Sequence, residues 1–217
     1  MLVNKDKKQI ASERGKRVKL SRSLIGITRK EMTEKYGISV NTIQSWENGT
    51  NCLSQNGAAK LAEVFQKEGL NVTDEWLLCG DLSNSQASLT NNILSMRSDI
   101  KVLEEIDYFK NNNLNSVGAM VSDDGLLPIF DVGDYVGGIS VSGKNIKDLV
   151  GEFCIITTSE GKILTRKILS YVKDDVFVIS CINPFTKIQD PHFFSCSIYA
   201  AAPITRHWHT SKILRGI

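Results

Sequence analysis

Apolar positions recur at helical spacing through the first 80 residues, then change to short β-type runs after about residue 117. Val18, Arg22 and Ile25 share one face of a segment from about Ser12 to Ile25, which Gly26 ends; the polar, basic residues 1–10 are expected to fray. Thr28 can cap the next helix, and Glu31, three residues on, completes a capping box. Met32 and Tyr36, at i and i+4, face inward, and Gly37 supplies a left-handed turn. Ser39 then caps a short helix that buries Ile43 and Trp46 and stops at Asn48-Gly49. Ser54 caps a fourth helix carrying Ala58, Leu61, Ala62 and Phe65 up to Gly69. Thr73 or Asp74 caps a fifth, anchored by Trp76 and Leu77.

Residues 81–99 are rich in Ser and Asn and read as a linker, with a brief turn at Ile93, Leu94 and Met96; residues 100–111, with Leu103, Ile106 and Phe109, read as a short helix. Beyond them YVGGISV, EFCIITT, KILTRKIL, VFVISCI and SCSIYAAAPITRHW read as strands. Ser159-Glu160-Gly161 and Lys173-Asp174-Asp175 read as hairpin turns between them. The expected fold is α+β in two domains: an all-α five-helix domain over 1–80, a linker over 81–99, and a mostly antiparallel β domain over 100–217.

Two short helices joined by a Gly-containing turn have the form of a DNA-binding helix-turn-helix. The second helix offers Val40, Asn41, Gln44 and Ser45 to solvent. Asn and Gln can pair bidentately with adenine, and Val can touch a thymine methyl. Residues 14–80, with SWENG and VTDEWLLCG, resemble the DNA-binding domain of the lambdoid phage repressor and Cro family. The resemblance implies an ion pair between Arg22 and Glu47. It also places Arg29 where the family usually has a Gln beside a phosphate and the first base pair. Base contacts are therefore expected from Val40, Asn41, Gln44 and Ser45, and phosphate contacts from Arg29, Thr42, Asn48 and Thr50.

Charge strengthens this picture. Residues 1–22 carry eight Lys/Arg against Asp6 and Glu13, whereas residues 81–217 carry 13 basic and 15 acidic residues. A basic front with a mildly acidic back points to nucleic acid at the front only. Five Cys (52, 79, 154, 181 and 196) form no CxxC pair and read as small buried residues in a reducing cytoplasm. No apolar stretch is long enough to span a membrane, and no secretory signal is evident.

The second half carries its own motif. In VSDDGLLPIFDVGDYV, the residues Asp124, Gly125, Leu126, Pro128, Gly133 and Asp134 resemble the Gly-Asp-Ser-Met-x-Pro…Gly-Asp pattern of LexA-like self-cleaving repressors, over about residues 100–208. INPF resembles that family's penultimate loop. The resemblance puts Gly125 at the nucleophilic Ser, and TRKIL puts Lys167 at the general base. A Gly has no hydroxyl to activate, so the catalytic positions are vestigial and no enzyme activity is expected. The family's Ala-Gly cleavage site is also absent, Gly118-Ala119 being reversed, and Ser122 lies three residues from the nucleophile position.

The sequence therefore reads as a transcriptional regulator, a prophage-type repressor, that binds double-stranded DNA as a homodimer, with tetramerisation open. Its inducer would be an antirepressor or a small-molecule effector. The competing readings are an active Ser-Lys peptidase, which Gly125 opposes, and a ligand or partner sensor using the old cleft. His207 and His209, two apart on a strand, face one side and can in principle bind metal. No Cys or carboxylate is evident in the sequence to complete that shell, so no metal or cofactor is expected. Asp123-Asp124 and Asp174-Asp175 read as turn formers, and Gly137-Gly138 lacks a phosphate-loop context.

Overall fold

The capping box written at Thr28 and Glu31 is formed. The Thr28 hydroxyl accepts the Glu31 amide at 3.1 Å, and the Glu31 carboxylate accepts the Thr28 amide at 2.7 Å. A computed structural model describes residues 2–80, 91–188 and 193–209. The chain divides between Lys101 and Val102 into two units, each with its own core.

The first unit is helical: α1 Leu2–Leu24, α2 Arg29–Tyr36, α3 Val40–Glu47, α4 Gln55–Lys67 and α5 Asp74–Cys79. Ser39, Ser54 and Thr73 cap α3, α4 and α5 by accepting backbone amides, and Gly37 turns the chain at φ 65°. The one departure is α1, which begins at Leu2 instead of near Ser12. Residues 2–11 contain no Gly or Pro and are rich in good helix formers, so nothing stops the helix extending outward from buried Ala11. Val18, Leu24, Met32, Ile43, Leu61, Phe65 and Leu77 form a closed core.

Helices α1 and α3 meet backbone to backbone. A Cβ at Gly15 would lie 2.2 Å from the Trp46 carbonyl oxygen, and one at Gly49 (φ 66°) would lie 2.9 Å from the Ser12 Cα. Neither glycine has room for a side chain, and together they fix how α3 lies on α1. Tyr36 ties α2 to α4 by donating to Glu68 at 2.5 Å; that bond holds the phenolic proton and pushes its pKa up to about 12.

Helix α6 is one continuous element, Asn91–Asn112. The brief turn expected at 93–96 and the helix start near 100 are both replaced by this longer helix; residues 81–90 lie outside the described part. Asn and Ser are only mildly unfavourable within a helix, so their abundance marked a linker where the helix in fact continues.

The second unit is antiparallel β. One sheet has the order β1 Ser116–Met120, β2 Tyr135–Ile139, β8 Arg206–Trp208. The other comprises β3 Val141–Ser142, β4 Phe153–Thr158, β5 Ile163–Lys173, β6 Val176–Ser180 and β7 Phe193–Pro203. Strand β7 pairs with β6 along its first half and with β4 along its second, so β4–β5–β6–β7 closes on itself. Ile146, Cys154, Ile156, Ile168, Phe177, Ile179 and Ile198 fill that closed sheet. A second core of Ala119, Val121, Leu126, Phe130, Val136, Ile155 and Ala202 draws on both sheets. Cys154 and Cys181 are buried as expected, but Cys52 and Cys79 are exposed.

Candidate nucleic-acid interface

Glu47, at the C-terminal end of α3, is buried, and two guanidinium groups converge on it. Arg22 of α1 donates Nε to Oε1 at 2.5 Å and Nη2 to Oε2 at 3.3 Å, and its Nη1 holds the Ile27 carbonyl at 2.8 Å. Arg29, the first residue of α2, donates Nε and Nη2 to Oε2 at 2.9 and 2.5 Å. One carboxylate thus joins α1, α2 and α3. Two cations on one anion leave a net positive charge where the first turn of α2 meets the end of α3. The sequence pointed to the Arg22–Glu47 pair but not to Arg29 as its third member.

Helix α3 presents its other face to solvent. Val40, Asn41, Gln44, Asn48 and Thr50 are exposed, whereas Ile43 is fully buried. Two of the anticipated contact residues already have partners. The Thr42 hydroxyl lies 2.8 Å from that of Ser39. Ser45 donates to the Thr42 carbonyl at 2.9 Å and accepts from the Asn51 amide at 3.3 Å.

The basic run of α1 is not uniformly available to a polyanion. Arg14 donates to the carbonyls of Leu78 (3.1 Å) and Leu53 (2.8 Å). Arg17 donates to those of Leu77 (3.0 Å) and Leu78 (2.9 Å). Their bonds to Leu77 and Leu78 satisfy open C-terminal carbonyls of α5, a structural role that charge counting does not reveal. Burial lowers the pKa of Arg17. Lys7, Lys8, Lys16 and Lys19 remain exposed.

In the β unit, the turn at Gly125 is held from two sides. Asp123 accepts the Gly125 amide at 3.0 Å and binds Arg166 through two bonds of 2.9 Å. The 182–187 loop clasps the other side: Ile182 and Asn183 donate amides to the Gly125 carbonyl, Asn183 holds the Asp124 carbonyl at 2.9 Å, and Thr186 holds the Asp124 carboxylate at 2.5 Å. INPF, singled out by resemblance, therefore lies against Gly125. A Cβ on Gly125 would sit 2.9 Å from Cys181 Sγ and 3.0 Å from Asp123 Oδ1.

The side chain that β5 delivers to this turn is Arg166, fully buried, and not Lys167, whose ammonium lies 5.4 Å from the Phe153 ring centroid. A one-residue slip along a strand reverses the face, and TRKIL offers two adjacent cations with nothing to say which points inward. The imidazole pair also has more company than the sequence showed: His207 Nε2 and His209 Nδ1 lie 2.7 and 3.2 Å from Asp134 Oδ2. Asp134 is adjacent to neither His in sequence and is buried.

Among the described residues, no helix is long and apolar enough to cross a membrane. No curated protein matches the chain. Residues 18–69, from the middle of α1 to the turn after α4, match the helix-turn-helix family HTH_3. With the exposed face of α3, that match supports a DNA-binding transcriptional regulator whose helical helix-turn-helix region precedes an antiparallel β-sheet domain.

Proposed function

We propose that this protein is a sequence-specific repressor that binds its operator as a homodimer through α3, with a β unit that dimerises and does not cleave itself. The observation that carries the DNA reading is the solvent face of α3, with Val40, Asn41 and Gln44 exposed beside a buried Glu47 that binds two arginines. Inserted in a major groove, Asn41 and Gln44 read base edges and Val40 a thymine methyl. Arg29 keeps Nη1 for a phosphate while Glu47 orients its plane, and Thr42, Asn48 and Thr50 add neutral phosphate donors. Ser45 contributes only if it gives up its bond to Thr42. One head reads too few base pairs for specificity, so two heads on half-sites about 34 Å apart, or a multiple of that, are required.

The inactive-peptidase reading rests on chemistry at the turn. Gly125 has no nucleophile, and the adjacent cation is a guanidinium, which offers only donors and no acceptor for a proton. Selection of bound sequences from random duplex DNA with the full-length protein tests the whole proposal. An inverted repeat with fixed spacing is expected. A single enriched half-site removes the dimer, and no enrichment at low salt removes sequence-specific regulation. Six phosphate contacts give a log–log salt slope of about −5. Incubation of the same protein at alkaline pH yields no pair of fragments if the β unit is inert.

A further inference from the structure

The cluster Asp134–His207–His209 has the donor set and spacing of a metal site. Both imidazoles are aimed at a single oxygen, Asp134 Oδ2, and one ligating atom from each of the three residues lies within 4.8 Å of the others. The carboxylate side chain is 2% exposed, His207 is 24% exposed and His209 is 71% exposed. The site is thus anchored in protein at one end and open to solvent at the other.

The fold builds this arrangement from two elements. Asp134 directly precedes β2, in a turn where its amide donates to the Asp131 carbonyl and its Oδ2 accepts the Asp131 amide. Strand β8 pairs with β2 so that His207 lies opposite Val136 and Trp208 opposite Tyr135. His207 in β8 and His209 just after it lie two residues apart on one side, with ring centroids 3.9 Å apart. The edge of Phe130 packs on His207 at 5.0 Å, and Trp208 packs on Phe109 at 5.9 Å, which fixes the strand between its two histidines.

Two imidazoles tilted at 56° to one another can both bond one carboxylate oxygen only if each presents a proton there. A divalent cation takes the place of those protons. With metal–nitrogen and metal–oxygen bonds of about 2.0–2.2 Å, tetrahedral ligand atoms stand about 3.3 Å apart. The observed N···O separations of 2.7 and 3.2 Å reach that spacing with shifts well under the width of an atom.

We propose that Asp134, His207 and His209 bind one divalent transition-metal ion of the Zn2+ class. Two imidazoles and one carboxylate suit Zn2+ or Co2+ and disfavour Mg2+ and Ca2+, which take oxygen ligands. The ion leaves a fourth position to water on the His209 side and ties β8 to the start of β2. This site is independent of the DNA-binding reading.

The test uses full-length protein prepared without a polyhistidine tag and stripped of metal. Titration with Zn2+ should show one saturable equivalent and a rise in Tm. Co2+ should give visible ligand-field bands without the near-ultraviolet band of a thiolate ligand. His209→Ala, chosen because that side chain is largely exposed, should keep its metal-free Tm and lose affinity by at least about 100-fold. His192→Ala, which changes the only other histidine in the chain, should bind as the parent does. Absence of a saturable equivalent would overturn the proposal and leave a hydrogen-bonded His–Asp cluster. Undiminished binding by His209→Ala, or a thiolate band with Co2+, would overturn it in favour of the cysteines.

Discussion

Each unit of this protein is held by guanidinium groups on a buried or half-buried carboxylate, and the two arrangements are inverted. In the helical unit the anion is the inaccessible partner: the Glu47 side chain has no exposure, while Arg22 and Arg29 are 15% and 32% exposed. In the β unit it is the cation: Arg166 is 2% exposed and Asp123 25%. Glu47 serves two arginines and leaves surplus positive charge toward solvent, whereas Asp123 and Arg166 neutralise one another and close off the Gly125 turn. The first arrangement suits a surface that meets a polyanion. The second suits, on the proposed inactive-peptidase reading, a plug at that turn.

The inversion sets the order of the mutational costs. Asp123→Ala leaves a fully buried guanidinium without its anion, and the β unit should lose about 3–5 kcal/mol. Glu47→Ala leaves two arginines that can turn toward water, so the cost is smaller, about 2–3 kcal/mol, below the range for a fully stranded charge. Calorimetric unfolding of both variants measures the difference. An equal or reversed order would show that burial of the cation is not what separates the two sites. Glu47→Ala should also weaken operator binding, because Arg29 loses the partner that orients it.

Placing a hydroxyl at the Gly125 turn sharpens the idea of a plug. Gly125→Ser forces a Cβ to within 2.9 Å of Cys181 Sγ and 3.0 Å of Asp123 Oδ1. Overpacking of this kind costs about 1–3 kcal/mol. The variant should be less stable and still uncleaved, since Arg166 cannot take the serine proton. Two fragments on a gel after alkaline incubation would refute the inert reading and point to Lys167 reaching the site after all.

On the α3 face, Asn41→Ala and Gln44→Ala should each cost about 1–3 kcal/mol on the selected operator and relax preference at one position per half-site. Their stability should hardly change, since both side chains are exposed. Competition binding against single-base operator variants separates this from uniform weakening, which would make these residues phosphate contacts.

The helical unit was the more legible of the two because its signals are local. Thr28 and Glu31, Gly37, and Ser39 each act within four residues, and each does in the structure what its chemistry dictates. What escaped notice depends on distant partners. Gly15 looks like a weak point in a helix until Trp46 is set against it, and Arg14 and Arg17 look like phosphate contacts until α5 arrives at their guanidinium groups. The β strands were legible as runs of Val, Ile and Phe, but their facing was not. Lys167 and Arg166 differ by one step of a two-residue period, and only the pairing of Phe153 with Lys167 decides between them. Asp134 was visible within a motif, yet its place beside His207 and His209 requires the pairing of β2 with β8.

The smallest expected effect concerns Asp124, the half-buried neighbour of the Asp123–Arg166 pair. Thr186 donates to its Oδ1 and the Lys187 amide to its Oδ2 at 3.1 Å; the hydroxyl bond first, and then the amide, lower its pKa below the ordinary carboxylate value. A carboxylate whose folded pKa is depressed adds stability that is present above its unfolded pKa, about 3.9, and lost as pH falls through the folded pKa. Asp124→Asn removes the titration but keeps an oxygen to accept one of the two bonds. The Tm difference between parent and variant should be small, constant above about pH 5, and shrink toward zero as pH falls through the depressed folded pKa. Paired melting curves across that range measure it. A difference that persists into acid would mean that Asp124 holds the 182–187 loop by shape alone, and that the charge in this part of the β unit resides entirely in Asp123 and Arg166.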